Sequence, residues 1–195
     1  NKHAATVFWD LLKYFDTVNL DRLYEKSIST KLPEASTLLS LASYQWCRKL
    51  EVEGAISEDV WPSRSIIAGS GPACFETKAL IVEELDYHLV RNPGIIIEVH
   101  VDDLAQAATG DQADYVSNIL HKSCSELKIA IREQNLDIAY PKAFTMASSK
   151  DLLKAIIARL GPLAGKAEEA ARFLGVETTQ GKSSRVARRA GTTAA

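Results

Sequence analysis

The chain has 195 residues and a formal net charge of −2, with 46% hydrophobic and 25% charged residues. This length and composition favour one domain with a sizeable core and are short for two domains. No apolar run approaches the roughly 20 residues of a membrane-spanning helix, and no secretory leader opens the chain. We therefore expect a soluble intracellular protein, in the nucleus or the cytoplasm, that does not bind membranes.

The net charge hides an asymmetry between the body of the chain and its end. From residue 180 onward the sequence contains no acid, and its basic residues are Lys182, Arg185, Arg188 and Arg189. Residues 1–179 therefore hold 19 basic and 25 acidic side chains, a net charge of −6. An acidic body is unusual for a protein that grips nucleic acid over its whole surface. We predict a separate tail, residues 180–195, whose composition favours disorder over phosphate binding.

The first predicted element is a short apolar strand that ends in a carboxylate. It reads Thr-Val-Phe-Trp-Asp over residues 6–10, which is typical of a buried strand. A polar turn follows, and a helix is predicted from about Leu20 to Lys31. Asp10 therefore lies where a strand leaves the sheet.

The next segments are predicted to be structural. Pro33 suits the first turn of a helix over residues 34–50, in which apolar residues recur at helical spacing. Trp46 shares that apolar stripe, so we expect it in the core. The sequence of residues 51–57 predicts a β-hairpin around Gly54.

Two glycines, Gly69 and Gly71, precede the following predicted helix, which runs from Pro72 to about Val90. Because glycine lets the backbone approach a ligand and a helix start offers free N–H groups, this loop suits contact with a phosphate or a base. A plain capped loop fits the same residues equally well.

The most informative stretch is Ile-Ile-Ile-Glu-Val-His-Val-Asp-Asp-Leu-Ala-Gln-Ala-Ala over residues 95–108. It predicts a β-hairpin with two adjacent carboxylates, Asp102 and Asp103, near its turn. Neighbouring carboxylates repel each other, and a fold tolerates that cost mainly where a cation offsets it. Both are therefore candidate ligands of Mg²⁺ or Mn²⁺, with Asp10 as a third carboxylate. The alternative is a solvated turn, since Asp is common in turns for local reasons.

Three further elements are predicted after this hairpin. A helix runs from a cap at Asp111 to about Arg132. Residues 136–148, which include Lys142, form a loop and a short strand. A last helix covers residues 149–160 and stops at Gly161.

The cysteines indicate neither a metal site nor a disulfide framework. Cys47, Cys74 and Cys124 lack the spacing of zinc ligands. We expect all three to be buried thiols in a reducing compartment.

Taken in order, these motifs resemble the palm domain of reverse transcriptases, especially those of non-LTR retrotransposons and group II introns. The first palm motif of that family reads roughly Asp-x-x-Lys-x-Phe-Asp-x-Val, and residues 10–18 read Asp-Leu-Leu-Lys-Tyr-Phe-Asp-Thr-Val. The third motif, aromatic-x-Asp-Asp, is matched by His-Val-Asp-Asp over residues 100–103. Both motifs stand in the family's order, each at a strand end, which makes the match more specific than either motif alone.

Three weaker matches extend the resemblance over residues 5–178, motif by motif. The second palm motif usually reads Gly-x-x-Gln-Gly, whereas this chain has Ser65 and Ala68 at the first Gly and the Gln and retains only Gly69. Lys142 is placed like the lysine of the fourth motif. The Phe-Leu-Gly of residues 173–175 resembles a strand at the palm–thumb junction.

The resemblance implies an α+β fold over residues 1–179: a polymerase palm with a small antiparallel sheet and helices packed on one face. It implies that Asp10, Asp102 and Asp103 bind two Mg²⁺ or Mn²⁺ ions for nucleotidyl transfer in the reverse transcriptase of a retroelement. The expected partners are an RNA template with a DNA primer and deoxynucleoside triphosphates.

The resemblance also implies roles for four further residues. Lys142 would protonate the departing pyrophosphate. Phe15 would lie beneath the sugar of the incoming nucleotide, and Lys13 and Gly69 would contribute to substrate binding.

Two alternatives remain open on the sequence. A palm-type RNA polymerase would use the same carboxylates, with Asp16 accepting a hydrogen bond from the 2′-hydroxyl. A degenerate, inactive retroelement copy is favoured by Ala68 and by His100 at the aromatic position. Because the chain reaches the first motif within ten residues, we expect a fragment that lacks fingers and thumb and is inactive alone.

Overall fold

The computed structural model describes residues 2–168, 170–173 and 176–179. It contains both helices and strands, so the predicted α+β class is confirmed. The chain divides into two compact units. The first unit consists of Asn1–Leu12, Tyr87–Ile129 and Asp137–Ala195, and the second consists of Lys13–Asp86 and Ala130–Leu136.

Within the described ranges the chain forms six α-helices and nine strands, most of them in the predicted order. They are β1 (His3–Asp10), α1 (Tyr14–Thr17), α2 (Leu20–Ser29), α3 (Glu34–Tyr44), β2 (Glu51–Val52), β3 (Ala55–Ile56), α4 (Ala73–Arg91), β4 (Ile95–His100), β5 (Asp103–Gly110), α5 (Ala113–Glu133), β6 (Phe144–Ala147), α6 (Lys150–Leu160), β7 (Lys166–Ala167), β8 (Ala170–Phe173) and β9 (Val176–Thr179). Short 3-10 helices cover Tyr140–Lys142 and Gly161–Ala164. None of the helices within the described ranges is long and apolar enough to cross a membrane.

A five-stranded sheet in the order β4-β5-β1-β6-β7 forms the first unit. The pairs β4–β5, β5–β1 and β1–β6 are antiparallel, whereas β6 and β7 are parallel. The sheet is therefore mixed: it is antiparallel, as expected, except at the edge where β7 pairs with β6. The cause is the crossover through α6, which returns the chain to the sheet in the direction of β6.

Strand β1 lies at the centre of the sheet and packs on both of its faces. Val7 and Trp9 are buried on one face, where the Trp9 indole N–H donates to the Leu163 carbonyl at 2.7 Å. On the other face the Phe8 ring stacks on Phe144, with ring centroids 4.4 Å apart. Burial of each large apolar side chain contributes roughly 1.5–3 kcal/mol, so the position of β1 is strongly fixed.

A buried polar chain joins α4, α5 and β5 within the first unit. The Ser123 hydroxyl donates to Gln106 Oε1 at 2.6 Å and lies 2.7 Å from His88 Nε2. Since a serine hydroxyl has one proton, His88 Nε2–H must be the donor to Ser123. Gln106 also donates to Cys124 Sγ at 3.4 Å. Burial lowers the pKa of His88 below its ordinary value, so the network holds a neutral imidazole.

The second unit contains a buried charge that is fully paired. Lys26 on α2 is 8% exposed and donates to Glu83 at 2.8 Å and to Glu84 at 3.1 Å, both on α4. Burial alone lowers the pKa of Lys26, but the hydrogen bonds to the two carboxylates outweigh it and the pKa is raised. A buried ammonium is tolerated because it is paired in this way.

Helix α3 differs from its prediction in length and in the face it buries. It ends at Tyr44, and Trp46 beyond it is 65% exposed, so the expected core position of Trp46 is wrong. The buried residues of α3 are Thr37, Ser40 and Tyr44. The Tyr44 hydroxyl donates to Glu76 Oε2 at 2.6 Å. This bond holds inward the face of α3 that carries Tyr44, and the apolar stripe is not the buried face.

Two of the three cysteines also differ from expectation. Cys47 and Cys74 are exposed, and only Cys124 is buried. Cys124 lies beneath β5, where burial raises the pKa of its thiol.

Strands β8 and β9 pair antiparallel as an additional two-stranded sheet. The Leu-Gly of the Phe-Leu-Gly match and the predicted basic tail lie outside the described residues.

The buried His88 predicts a loss of stability in mild acid. The pKa of His88 in the folded chain lies below the ordinary value of 6.5. Between these two pKa values, His88 is protonated in the unfolded chain and neutral in the folded chain. The free energy of unfolding should fall as the pH drops below about 6.5 and level off below the folded pKa. Glu126 opposes the shift, and Arg91 and Lys122 reinforce it.

Urea unfolding at several pH values between 7.5 and 5 checks this expectation. His88→Gln, which keeps a donor for Ser123, should flatten the pH profile. His121→Gln on the exposed side of α5 is the control and should leave the profile unchanged. Identical profiles for His88→Gln and the parent chain would contradict the assignment.

Candidate active site

The register of β1 and β5 sets two of the predicted carboxylates opposite each other. Asp10, the last residue of β1, pairs with Asp103, the first residue of β5. Side chains of directly opposed residues on antiparallel strands lie on the same face, with Cβ atoms about 4.5–5.5 Å apart. The first unit therefore brings together the carboxylates of the first and third motifs.

Asp102 joins Asp10 and Asp103 from the turn between β4 and β5, and we call these three residues the carboxylate corner. Its carbonyl accepts the Leu11 N–H at 2.8 Å, which ties the turn to the end of β1. The three acids act on one another: burial raises the pKa of Asp103, and the negative charges of Asp102 and Asp10 raise it further. The corner is thus electrostatically unfavourable for its own carboxylates.

Lys142 supplies the positive charge nearest to Asp10, donating from Nζ to Asp10 Oδ2 at 2.7 Å. The segment before it is held against β1, because Leu12 N–H donates to the Asp137 carbonyl and Ala139 N–H to the Asp10 carbonyl, each at 2.8 Å. The hydrogen bond and the charge of Asp10 raise the pKa of Lys142. Lys142 is therefore an ammonium positioned at the carboxylate corner.

The turn that carries Asp102 is strained at Val101. His100 pairs with Asp103, so only two residues connect β4 and β5. Val101 has a φ of 57°, in the left-handed region that β-branched residues rarely adopt. Two-residue hairpins favour Asn or Gly at such positions, and strain of this kind is concentrated at functional sites. Val101 was not predicted as a site residue, although a β-branched residue in so short a turn is a visible signal.

The donor set suits a hard divalent cation in its chemistry, since Mg²⁺ and Mn²⁺ prefer carboxylate oxygens. Within the part of the chain that the structure describes, no three His, Cys, Asp or Glu side chains are arranged to hold a metal ion. Asp10 instead holds the Lys142 ammonium. Metal binding would thus require Asp10, Asp102 and Asp103 to reorient, and their role as ligands stays a prediction.

The remaining predicted site residues belong to the second unit. The Phe15 carbonyl accepts the Ile66 N–H at 2.9 Å, so the first-motif turn lies beside the second-motif loop. Gly69 has a φ of 83°, a backbone angle that favours glycine. The space around it is not the reason for the glycine, because an added Cβ would meet no atom within 4 Å. Ser65, at the family's other glycine position, has a φ of 87°. Lys13 is exposed before α1, with a φ of 47°. The substrate contacts of Lys13, Phe15 and Gly69 stay predictions.

Comparison with known proteins agrees with this architecture at the level of the fold. No protein-family model matches the chain, and neither does any curated protein sequence. Solved structures do match it, and two of them are structures of telomerase, an enzyme related to reverse transcriptases. At the level of the fold, the chain is therefore distantly reverse-transcriptase-like.

Two structures of telomerase from Candida tropicalis illustrate the likeness. Apo telomerase truncated from its C-terminal domain superposes on 91% of this chain with a TM-score of 0.59 at 10% identity. Telomerase in complex with the TWJ fragment of telomeric RNA also covers 91%, with a TM-score of 0.63 at 9% identity. The chain spans 34% and 28% of these two proteins, about a third of their length.

The strain at Val101 can be measured directly. Left-handed backbone costs a residue with a Cβ roughly 1–2 kcal/mol, and glycine recovers most of this at an entropic cost of about 0.5–1 kcal/mol. Val101→Gly should therefore raise the free energy of unfolding by about 0.5–1 kcal/mol.

Val99→Gly is the matched control, since Val99 is an extended residue of β4. It should destabilise the chain by about 1 kcal/mol. Urea unfolding measures both. Destabilisation by Val101→Gly as large as that by Val99→Gly would contradict a strained turn.

Proposed function

We propose that this chain is the palm core of an RNA-directed DNA polymerase, the reverse transcriptase of a retroelement. The observation that carries the proposal is the register of β1 and β5, which pairs Asp10 with Asp103. Asp-Asp turns are common, but an opposing carboxylate from a distant motif, within a reverse-transcriptase-like fold, favours a shared chemical role.

In this proposal Asp10, Asp102 and Asp103 bind two Mg²⁺ or Mn²⁺ ions. When bound, such ions would activate the primer 3′-hydroxyl and neutralise charge on the triphosphate. The chain's contribution is positioning, because the register of β1 and β5 sets Asp10 opposite Asp103 before any ion arrives, and reorientation of the side chains would complete the site. Reorientation of Asp10 would release the Lys142 ammonium.

Lys142 is then proposed as a proton donor to the departing pyrophosphate. A lysine side chain is an ammonium near neutral pH, so a proton is available for transfer once Asp10 releases Lys142. Its exposure of 66% lets the side chain follow the leaving group.

The proposed partners are an RNA template with a DNA primer and deoxynucleoside triphosphates. One structural neighbour is a complex with a fragment of telomeric RNA, which supports nucleic acid as the class of ligand. From the resemblance we propose that Phe15, Lys13 and Gly69 contact the nucleotide. Because positioning supplies much of catalysis, a chain that spans about a third of its neighbours should extend primers poorly alone.

Metal binding gives a first test that needs no activity. Divalent ions should relieve the repulsion among Asp10, Asp102 and Asp103 and stabilise the folded chain by mass action. Mg²⁺ or Mn²⁺ should raise the melting temperature by about 2–4 °C for each kcal/mol by which the bound ions stabilise the folded chain. Asp102→Asn should weaken the shift, and the triple Asn variant should abolish it.

The control for this test removes three acids elsewhere. Asp21, Asp86 and Asp111 are exposed, and replacing them by Asn changes the net charge by the same amount. That variant should keep the full metal response. An equal response in the site triple variant would mean that the ions bind elsewhere.

Sugar selection distinguishes DNA synthesis from RNA synthesis. A phenyl ring beneath the nucleotide would collide with a 2′-hydroxyl, so Phe15→Val should admit ribonucleotides and largely preserve deoxynucleotide incorporation. The measurement is the ratio of the two incorporation rates, in a polymerase in which fingers and thumb accompany this palm. Phe75→Val, an exposed phenylalanine outside the motifs, is the control.

The second candidate function predicts the opposite result. If the parent already prefers ribonucleotides and Asp16→Ala abolishes that preference, the chain is an RNA-making palm. An unchanged ratio in Phe15→Val would mean that Phe15 only packs within its own unit.

A further inference from the structure

A cavity of about 290 Å³ lies in the second unit, where the beginnings of α3 and α4 meet. Its walls are mainly apolar and include Leu32, Pro33, Pro72 and Phe75, together with the carboxyl-bearing side chain of Glu76. The volume is near the lower end of the range for ligand pockets. It suits a single side chain or a small molecule of that size.

Glu76 is 2% exposed and only partly hydrogen-bonded. Its Oε2 accepts the Tyr44 hydroxyl at 2.6 Å, and the Tyr44 oxygen lies 2.8 Å from Ser70 Oγ. Burial and the bond to Glu76 raise the pKa of Tyr44 to about 12, so the phenol stays a donor. Glu76 Oε1 is buried with no hydrogen-bond partner among the described residues.

An unpartnered buried carboxylate oxygen is costly, because the group has lost its water without gaining a full set of donors. The contrast with Lys26 is informative, since that buried charge has two partners in the same unit. The described part of the chain supplies no hydrogen-bond donor for Glu76 Oε1. That oxygen is covered in this conformation, but the Glu76 side chain lines the cavity, so rotation of the carboxylate would bring it to a donor bound there.

We propose that this cavity binds an organic cation with an apolar stem, of the arginine side-chain type, whose guanidinium pairs with Glu76. A guanidinium is planar, weakly hydrated and suited to two-point contact with a carboxylate. It also stacks on aromatic rings such as that of Phe75. The stem packs on Leu32 and the two prolines.

Titration of the whole chain with n-butylguanidinium and its neutral isostere n-butylurea tests the proposal, with the amide NMR shifts of Thr37 and Phe75 as the readout. The cation should bind about tenfold more tightly than the urea, the effect of a charge-assisted hydrogen bond. Glu76→Gln should remove that preference, while Glu34→Gln, an exposed acid outside the cavity, should keep it. Equal binding of both probes to the parent chain, or an unchanged preference in Glu76→Gln, overturns the proposal.

Ser36→Phe provides a second variant in case Glu76→Gln does not fold. Ser36 is exposed and lines the cavity, so the added ring fills the space and should abolish binding of n-butylguanidinium. Persistent binding in a folded Ser36→Phe chain also overturns the proposal. N-acetyl-arginine methylamide distinguishes the sources: binding at least as tight as that of n-butylguanidinium assigns the site to an arginine of a protein, and weaker binding assigns it to a small cation.

Discussion

The pairing of β1 with β5 is the constraint on which the candidate active site depends. This register sets Asp10 opposite Asp103, although like charges directly across a sheet destabilise it. The raised pKa of Asp103, caused by burial and then by the charges of Asp102 and Asp10, reports the same conflict. The rest of the sheet must therefore hold a register that its own charged ends oppose.

Packing on both faces of β1 provides that restraint. A slip of one residue would exchange the two faces of the strand, removing the Phe8–Phe144 stack and the bond from the Trp9 indole to Leu163. Gln106 restrains β5 in the same way, because its buried amide is bonded to Ser123. The free energy that sets the register thus comes from residues that take no part in chemistry.

Elements with strong local signals were predicted well from the sequence. The helix α4 and the hairpin of β4 and β5 follow from periodicity, glycine positions and turn composition. The face of α3 was predicted wrongly because an apolar stripe does not reveal what covers it. Tyr44 is buried for a partner, Glu76, that is distant in sequence. The parallel edge strand β7 was missed for a similar reason, since two residues carry too little pattern.

The residues of the candidate site could be predicted from the sequence, but the backbone strain at the site could not. Motif order indicated Asp10, Asp102 and Asp103, whereas the backbone angle that strains Val101 depends on the length of its turn, which is set by the pairing of β4 with β5. A solvated turn explains an Asp-Asp pair in a hairpin. It does not explain why a strained turn and an opposing carboxylate, from a strand at the other end of the sequence, occupy one corner. Backbone strain and carboxylate repulsion coincide here, and packing elsewhere in the sheet offsets their cost. This combination is expected of a functional site.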